Sequence, residues 1–277
     1  MIDQLTHYLK LNSSFTLRVL TAAAGIPILA LVIWLDGIWF TLFTISIGVF
    51  GTSELYKLWP NHLSKPLTSI GLIWTGLICI IGYFGYYWVT LFCIGLSILA
   101  SIPITVSLQS QQSFWKRWLL FTAGPIYIGF CLSHSIFILK LIKGTELLIS
   151  TVTTVFTNDS VAYLIGKNFG KNHIYGSISP NKTLEGTLGG LVSSTAIFPA
   201  LCTTFSLPFN ILEASLLGFL IALSGQLGDL LESFLKRKAK VKNSGHILPG
   251  HGGILDRLDS IVFPLVIIYY CALLAGL

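Results

Sequence analysis

Six of the eleven acidic residues in this chain, Asp159, Glu185, Asp229, Glu232, Asp256 and Asp259, lie in its second half beside glycine, serine or basic residues. Their placement is informative, because a carboxylate inside hydrocarbon costs about 2.5 to 3.5 kcal/mol on insertion scales. In GQLGDLLESFLKRK, Asp229, Glu232 and Ser233 recur at i, i+3 and i+4, which puts them on one helix face. In HGGILDRLDS, Asp256, Asp259 and Ser260 repeat that spacing after a glycine-rich entry, with Arg257 projecting elsewhere. Two helices are therefore expected to offer hard oxygen ligands. Carboxylates without accompanying His and Cys pairs suit Mg2+, Mn2+ or Ca2+ better than Zn2+, and Mg2+ commonly joins one or two carboxylates to substrate phosphates. A structural ion pair of Asp256 with Arg257 or a lysine is the competing reading, weakened by the repeat of the pattern. The remaining acids, Asp3, Asp36, Glu54, Glu146 and Glu213, sit near expected helix ends or loops, where water reaches them, and require no function.

Two basic segments complement the carboxylates. Ser179 and Pro180 form an N-cap and first-turn pair, so the spacing predicts a helix starting there with its positive end open to a phosphate. Lys182 falls in that first turn, and Glu185 either holds a metal or pairs with Lys182 three residues before it. Further on, LKRKAKVKNSGHILPGHGG carries five Lys or Arg with His246 and His251. Such a loop either wraps a polyphosphate through lysines and backbone amides or is simply a solvated, lipid-facing loop. Of the two histidines, His246 reads as a non-catalytic polar residue and His251 as the better proton carrier. Carboxylates for a hard cation beside lysines for phosphate point to a nucleotide site.

The elements that position these residues must be membrane helices. The chain is 53% hydrophobic and 10% charged, with mean hydropathy +0.79, against roughly a quarter charged residues in soluble domains. Reading apolar runs against charged or turn-forming breaks predicts nine helices, near 19–35, 38–53, 67–82, 86–106, 119–139, 147–165, 186–206, 211–231 and 256–277. Eight crossings are also tolerable, because the first two helices can form one irregular unit about Asp36 and Gly37. The expected architecture is an all-α polytopic membrane protein in a single integral membrane domain, 1–277, with N-terminal helices over 1–146 and a catalytic half over 147–277. The first apolar stretch lacks a small-residue cleavage site and reads as a retained helix. The five cysteines lie singly in apolar runs and read as small hydrophobes.

Orientation follows from Lys and Arg, which favour cytoplasmic loops. With the N-terminus inside, the nine-helix arrangement puts 15 of the 17 on the inner side and leaves Lys140 and Lys143 outside. The net charge of +6 is spread over short juxtamembrane loops rather than one large face, which argues against nucleic acid and for lipid headgroups and phosphates.

From Ser233 to Ser260 the sequence SFLKRKAKVKNSGHILPGHGGILDRLDS resembles the signature of the CDP-diacylglycerol synthase, or phosphatidate cytidylyltransferase, family, with its spacing intact. NDSVAYLIGKNFGK, SPNKTLEG and GDLLES upstream are similar too, whereas the N-terminal half resembles the family only as hydrophobic helices. One position departs: the family has Asp after Lys242, and Asn243 stands here, able to coordinate through its amide oxygen but without negative charge.

The resemblance implies cytidylyl transfer, in which a phosphate oxygen of phosphatidic acid attacks the α-phosphorus of CTP and pyrophosphate leaves. Carried over by position, Asp229 and Asp256 are the expected metal ligands for Mg2+ or Mn2+, supported by Asp259 and Glu232, and Asp159, Glu185 and Asn243 line the cavity. Lys182, Lys236, Arg237, Lys242, His251 and Arg257 are assigned to phosphates, with Lys182 and His251 also in the catalytic set. The expected partners are CTP, phosphatidic acid and the lipid bilayer, with a homodimer possible and nucleic acid excluded. The expected location is the bacterial cytoplasmic membrane with the site facing the cytoplasm. Two other readings compete: a CTP enzyme with another lipid acceptor, and a secondary transporter for an anionic solute. Against the transporter, the charged residues cluster near one membrane face and have no counterpart in the first half.

Overall fold

The computed structural model describes residues 21, 23–59, 63–85, 87–107, 113–173, 176, 178–245, 247 and 252–277. His246 and His251 lie outside the described residues, as do Lys10 and Arg18. The regular elements are helical: α1 (Ala23–Leu35), α2 (Gly37–Lys57), α3 (Lys65–Tyr83), α4 (Tyr87–Ser107), α5 (Phe114–Ala123), a π-helical segment (Gly124–Phe130), α6 (Cys131–Leu139), α7 (Gly144–Phe169), α8 (Leu184–Thr204), α9 (Ile211–Lys238), α10 (Leu255–Leu258) and α11 (Val262–Leu274).

Seven spans among the described residues are long and apolar enough to cross a membrane, with Phe114–Leu139 and Leu255–Leu274 each counted as one. They are fewer than the nine expected crossings, and the two stretches that fall short differ in kind. The α1 helix is apolar but shorter. The α7 helix runs for 26 residues but is too polar. Its Ser150, Thr151, Thr154 and Thr157 hydroxyls each donate to the carbonyl four residues earlier, at 2.7–2.8 Å. Such self-satisfied hydroxyls are tolerated in a low-dielectric environment, and α7 packs extensively against α8, protein rather than lipid.

Two local expectations are corrected. The helix predicted from Ser179 begins at Leu184, with Thr183 as the N-cap accepting from the Gly186 N–H at 3.2 Å. Lys182 therefore precedes the helix instead of occupying its first turn. The last span is not one regular helix: α10 is a single turn, and a break over 259–261 separates it from α11. The Asp259 side chain accepts from the Ser260 N–H at 2.8 Å, competing with the ladder. Opposite this break sits Gly228, where a Cβ would lie 2.0 Å from the Asp259 carbonyl oxygen, so only glycine lets α9 approach this closely.

Contacts sort the helix ends into two groups. At one end, Lys182 meets Asp229, Arg237 donates to the Ile178 carbonyl, and Glu54 meets Ser244 and Leu255. At the other, Lys140 donates to the terminal carbonyls of α3 at Gly82 and Tyr83, and Lys143 to Phe205 and Ser206 after α8. Both lysines thus sit where helix dipoles end negative.

Candidate active site

A cavity of about 1660 Å3 runs through the second half and reaches under α1 and α2. Its lining has two characters. One flank is apolar, built by Ile26, Leu29, Phe40, Phe43, Ile47 and Phe50. The other carries Asp159, Lys182, Asp229, Lys236, Asp256 and Arg257.

The polar flank rests on a buried clamp between three helices. Gln226 on α9 donates from one amide nitrogen to Asn158 Oδ1 at 2.9 Å and to the Thr187 carbonyl at 3.1 Å. Asn158 in turn donates to Asp159 at 2.9 Å. The relative registers of α7, α8 and α9 are thereby fixed beside the carboxylates. In this setting Asp229 meets Lys182 at 2.6 Å, with side chains 33% and 26% exposed, and accepts weakly from Ser233 at 3.4 Å.

Two turns beyond Asp229 on α9, Lys236 is paired with both Glu232 and, at 2.6 Å, Asp256. Asp256 is well satisfied, since it also accepts from the Gly253 N–H at 2.8 Å and the Ser244 N–H at 3.1 Å. Glu232 is fully buried, and its Oε1 has no hydrogen-bond partner among the described residues. Asp259 is also buried, near enough to Asp229 and Glu232 for their charges to act on it. No three His, Cys, Asp or Glu side chains among the described residues form a ready-made cation cage.

Of the other expected site residues, Asp159, Asn243 and Arg257 line the cavity, whereas Glu185, Arg237 and Lys242 do not. Glu185 neither pairs with Lys182 nor faces the cavity. It accepts from the Lys171 and Asn172 backbone N–H groups at 3.1 and 3.3 Å and from the Asn172 amide at 2.8 Å, tying the end of α7 to the start of α8. Arg237 is spent on the Ile178 carbonyl at 3.3 Å, and Lys242 is exposed.

Two residues not expected at the site lie behind its lining. Glu54, assigned above to water, is 1% exposed and accepts from the Leu255 N–H at 2.8 Å and the Ser244 hydroxyl at 3.3 Å. Tyr127, on the π-helical segment, has a buried hydroxyl without a partner among the described residues, close enough to Asp259 and Glu232 to feel their charge. Pro125 gives a sequence reason for the π-helix: it offers no N–H, which forces the ladder out of its i to i−4 register.

The chain is 31% identical to a phosphatidate cytidylyltransferase of Bacillus subtilis (strain 168) over 262 residues, 91% of this chain and 96% of that one. It is 33% identical to a phosphatidate cytidylyltransferase of Staphylococcus aureus (strain COL) over 257 residues, 90% of this chain and 95% of the other. It is also 41% identical over 156 residues to the uncharacterized protein YnbB of Escherichia coli (strain K12), covering 53% of this chain and 51% of YnbB. A profile described as the cytidylyltransferase family matches residues 16–275, and the chain, an integral membrane protein by its spans, belongs to that family.

Proposed function

We propose that this chain is a phosphatidate cytidylyltransferase, a nucleotidyltransferase of phospholipid biosynthesis that converts CTP and phosphatidic acid to CDP-diacylglycerol and pyrophosphate. The observation that carries this reading is the divided cavity, with an apolar flank for acyl chains and a lysine and carboxylate flank for phosphates in one continuous space. The near full-length match to relatives bearing that name supports the choice of substrates.

In the reaction a phosphate oxygen of phosphatidic acid forms a bond to the α-phosphorus of CTP while the bond to pyrophosphate breaks, so no protein nucleophile is required. What the site must supply is position and charge. Lys182 and Arg257 lie in the cavity wall, where they neutralise phosphate oxygens. Lys236 is held by Glu232 and Asp256 and ties the α9 end to α10.

The residues fit Mg2+. Asp159, Asp229, Glu232, Asp256 and Asp259 still outnumber the cations of the cavity, Lys167, Lys182, Lys236 and Arg257, and Glu232 Oε1 has no hydrogen-bond partner among the described residues. Asp229 and Asp259, which lie close enough for their charges to act on each other, would hold the ion, with Asp256 and Glu232 completing the negative field. Bound there, Mg2+ supplies charge stabilisation of the phosphates during in-line transfer.

We place the site at the cytoplasmic face of a bacterial inner membrane, with α1 and α7 completing nine crossings. In support, the ends of α2, α7 and α9 and the residues just beyond them, together with Lys182 before α8 and Arg257 on α10, carry ten of the 17 Lys and Arg residues. Purified protein supplied with Mg2+, labelled CTP and dioleoyl phosphatidic acid is expected to form a labelled lipid, and Asp229→Asn and Asp256→Asn each to reduce its formation by about 100-fold. CTP left untouched while vesicles take up an anionic solute would instead make the protein a transporter.

A further inference from the structure

We infer that Glu54, on α2 in the N-terminal half, is a positioning residue for the phosphate end of the cavity. It is the one carboxylate from outside the second half that is buried there among the described residues. Its Oε2 takes the Leu255 N–H at 2.8 Å and the Ser244 hydroxyl at 3.3 Å, joining these two positions through one carboxylate. Those partners adjoin three cavity-lining residues: Leu255 precedes Asp256 and Arg257, and Ser244 follows Asn243.

The segment is shaped to receive this carboxylate. A Cβ at Gly245 would lie 2.2 Å from Glu54 Oε1, and one at Gly253 would lie 2.4 Å from Oε2 and 2.3 Å from Ser244 Oγ. Two glycines thus clear the space that Glu54 fills. The contact continues as a chain: Glu54 holds Ser244, the Ser244 and Gly253 amides hold Asp256, and Asp256 holds Lys236. Oε1 lacks a hydrogen-bond partner among the described residues, so the side chain is kept buried at a desolvation cost, which a merely solvated helix-end glutamate would not bear. Glu54 touches neither reacting phosphorus nor nucleotide in this scheme. It acts through the placement of Asn243, Asp256 and Arg257.

The assignment of a kinetic role rests on the reading of the chain as a CTP enzyme, and the experiment separates the two. Glu54→Ala and the isosteric Glu54→Gln are purified in detergent beside the parent protein, and initial rates are measured against CTP and against phosphatidic acid. Backbone hydrogen exchange is followed over 241–258. Glu54→Ala is expected to lower kcat/KM for CTP about 100-fold, the cost of misplacing a site by around an ångström. The KM for phosphatidic acid should change less than about threefold, and exchange at Ser244, Gly253 and Leu255 should quicken.

Glu54→Gln retains an acceptor for Leu255, so its loss should be nearer tenfold and its exchange near that of the parent. If Glu54→Ala does not survive solubilisation, the CTP against phosphatidic acid split in Glu54→Gln decides. Gly253→Ala supplies a coupling test: its damage should be smaller in Glu54→Ala than alone, because the clashing carboxylate is gone. Parent-like kinetics for CTP, unaltered exchange, or multiplicative losses in the double variant each overturn the role of Glu54. If the parent turns over no CTP yet exchange quickens in Glu54→Ala, the anchoring stands and the cytidylyltransferase reading falls.

Discussion

Replacing Lys236 with methionine tests the electrostatics of the polar flank most directly. Its side chain is 14% exposed, and the two carboxylates it joins, Glu232 and Asp256, are 0% and 10% exposed. Removing one partner of a buried ion pair costs about 3 to 5 kcal/mol, because the other charge is left uncompensated. The burden falls on Glu232: Asp256 keeps the Gly253 and Ser244 amides, whereas Glu232 is left facing only the Asp256 carboxyl. At roughly 2 to 4 °C per kcal/mol, Lys236→Met should melt about 6 to 20 °C below the parent in detergent. The contrast is Lys182→Met. The Lys182 and Asp229 side chains are 26% and 33% exposed, and a partly solvated pair is worth about 0 to 1 kcal/mol, so the melting temperature should fall by no more than about 4 °C while CTP turnover drops. Adding Glu232→Gln to Lys236→Met removes the stranded charge and should recover part of the loss. Parent-like melting of Lys236→Met, or a further fall on adding Glu232→Gln, would refute the claim that Lys236 neutralises a buried carboxylate.

Three other predictions follow from particular contacts. Asn243→Asp restores the acid of the family pattern at a cavity-lining position and should keep or raise activity at low Mg2+; a severe loss in a metal titration would show that the amide has a role of its own. Tyr127→Phe deletes a buried hydroxyl that has no partner among the described residues, so thermal melting should be unchanged or rise by up to about 1 kcal/mol equivalent. Lys143→Met removes donors to the Phe205 and Ser206 carbonyls at 3.0 and 2.5 Å and should cost about 0.3 to 1 kcal/mol, with the KM for CTP unmoved.

The parts of the site legible in the sequence were those where an expensive residue had to be explained. Asp159, Asp229, Asp256 and Asp259 stood out because hydrocarbon does not tolerate bare carboxylates, and all four line the cavity. Glu54 did not stand out, because its burial depends on Ser244 and Leu255, about two hundred residues away in the chain, folding over a helix end that by itself would be wet. The start of α8 was misplaced for a similar reason. The Ser179 and Pro180 pair is a sound local signal, but the Leu184 N–H is taken by the Asn172 carbonyl at 2.8 Å and the Ile178 carbonyl by Arg237, so tertiary bonds hold 178–183 open. Apolar length located the helices along the chain, the one near 147–165 included, but it did not show that the polar residues of α7 face other helices rather than lipid. Arg237 and Lys242 carried the right charge in the right signature, but their side chains serve a carbonyl and solvent.

The cavity beneath α1 and α2 has a consequence for how rates must be expressed. On the proposed reading a flank built by Ile26, Leu29 and Phe50 would keep acyl chains against apolar surface, so neither lipid substrate nor lipid product would pass through water. The variable that governs saturation is then the mole fraction of phosphatidic acid in the surrounding bilayer or micelle, and bulk molarity carries little meaning. Adding inert detergent at constant lipid should slow the reaction by surface dilution alone, while CTP, arriving from the aqueous side, continues to obey its ordinary concentration.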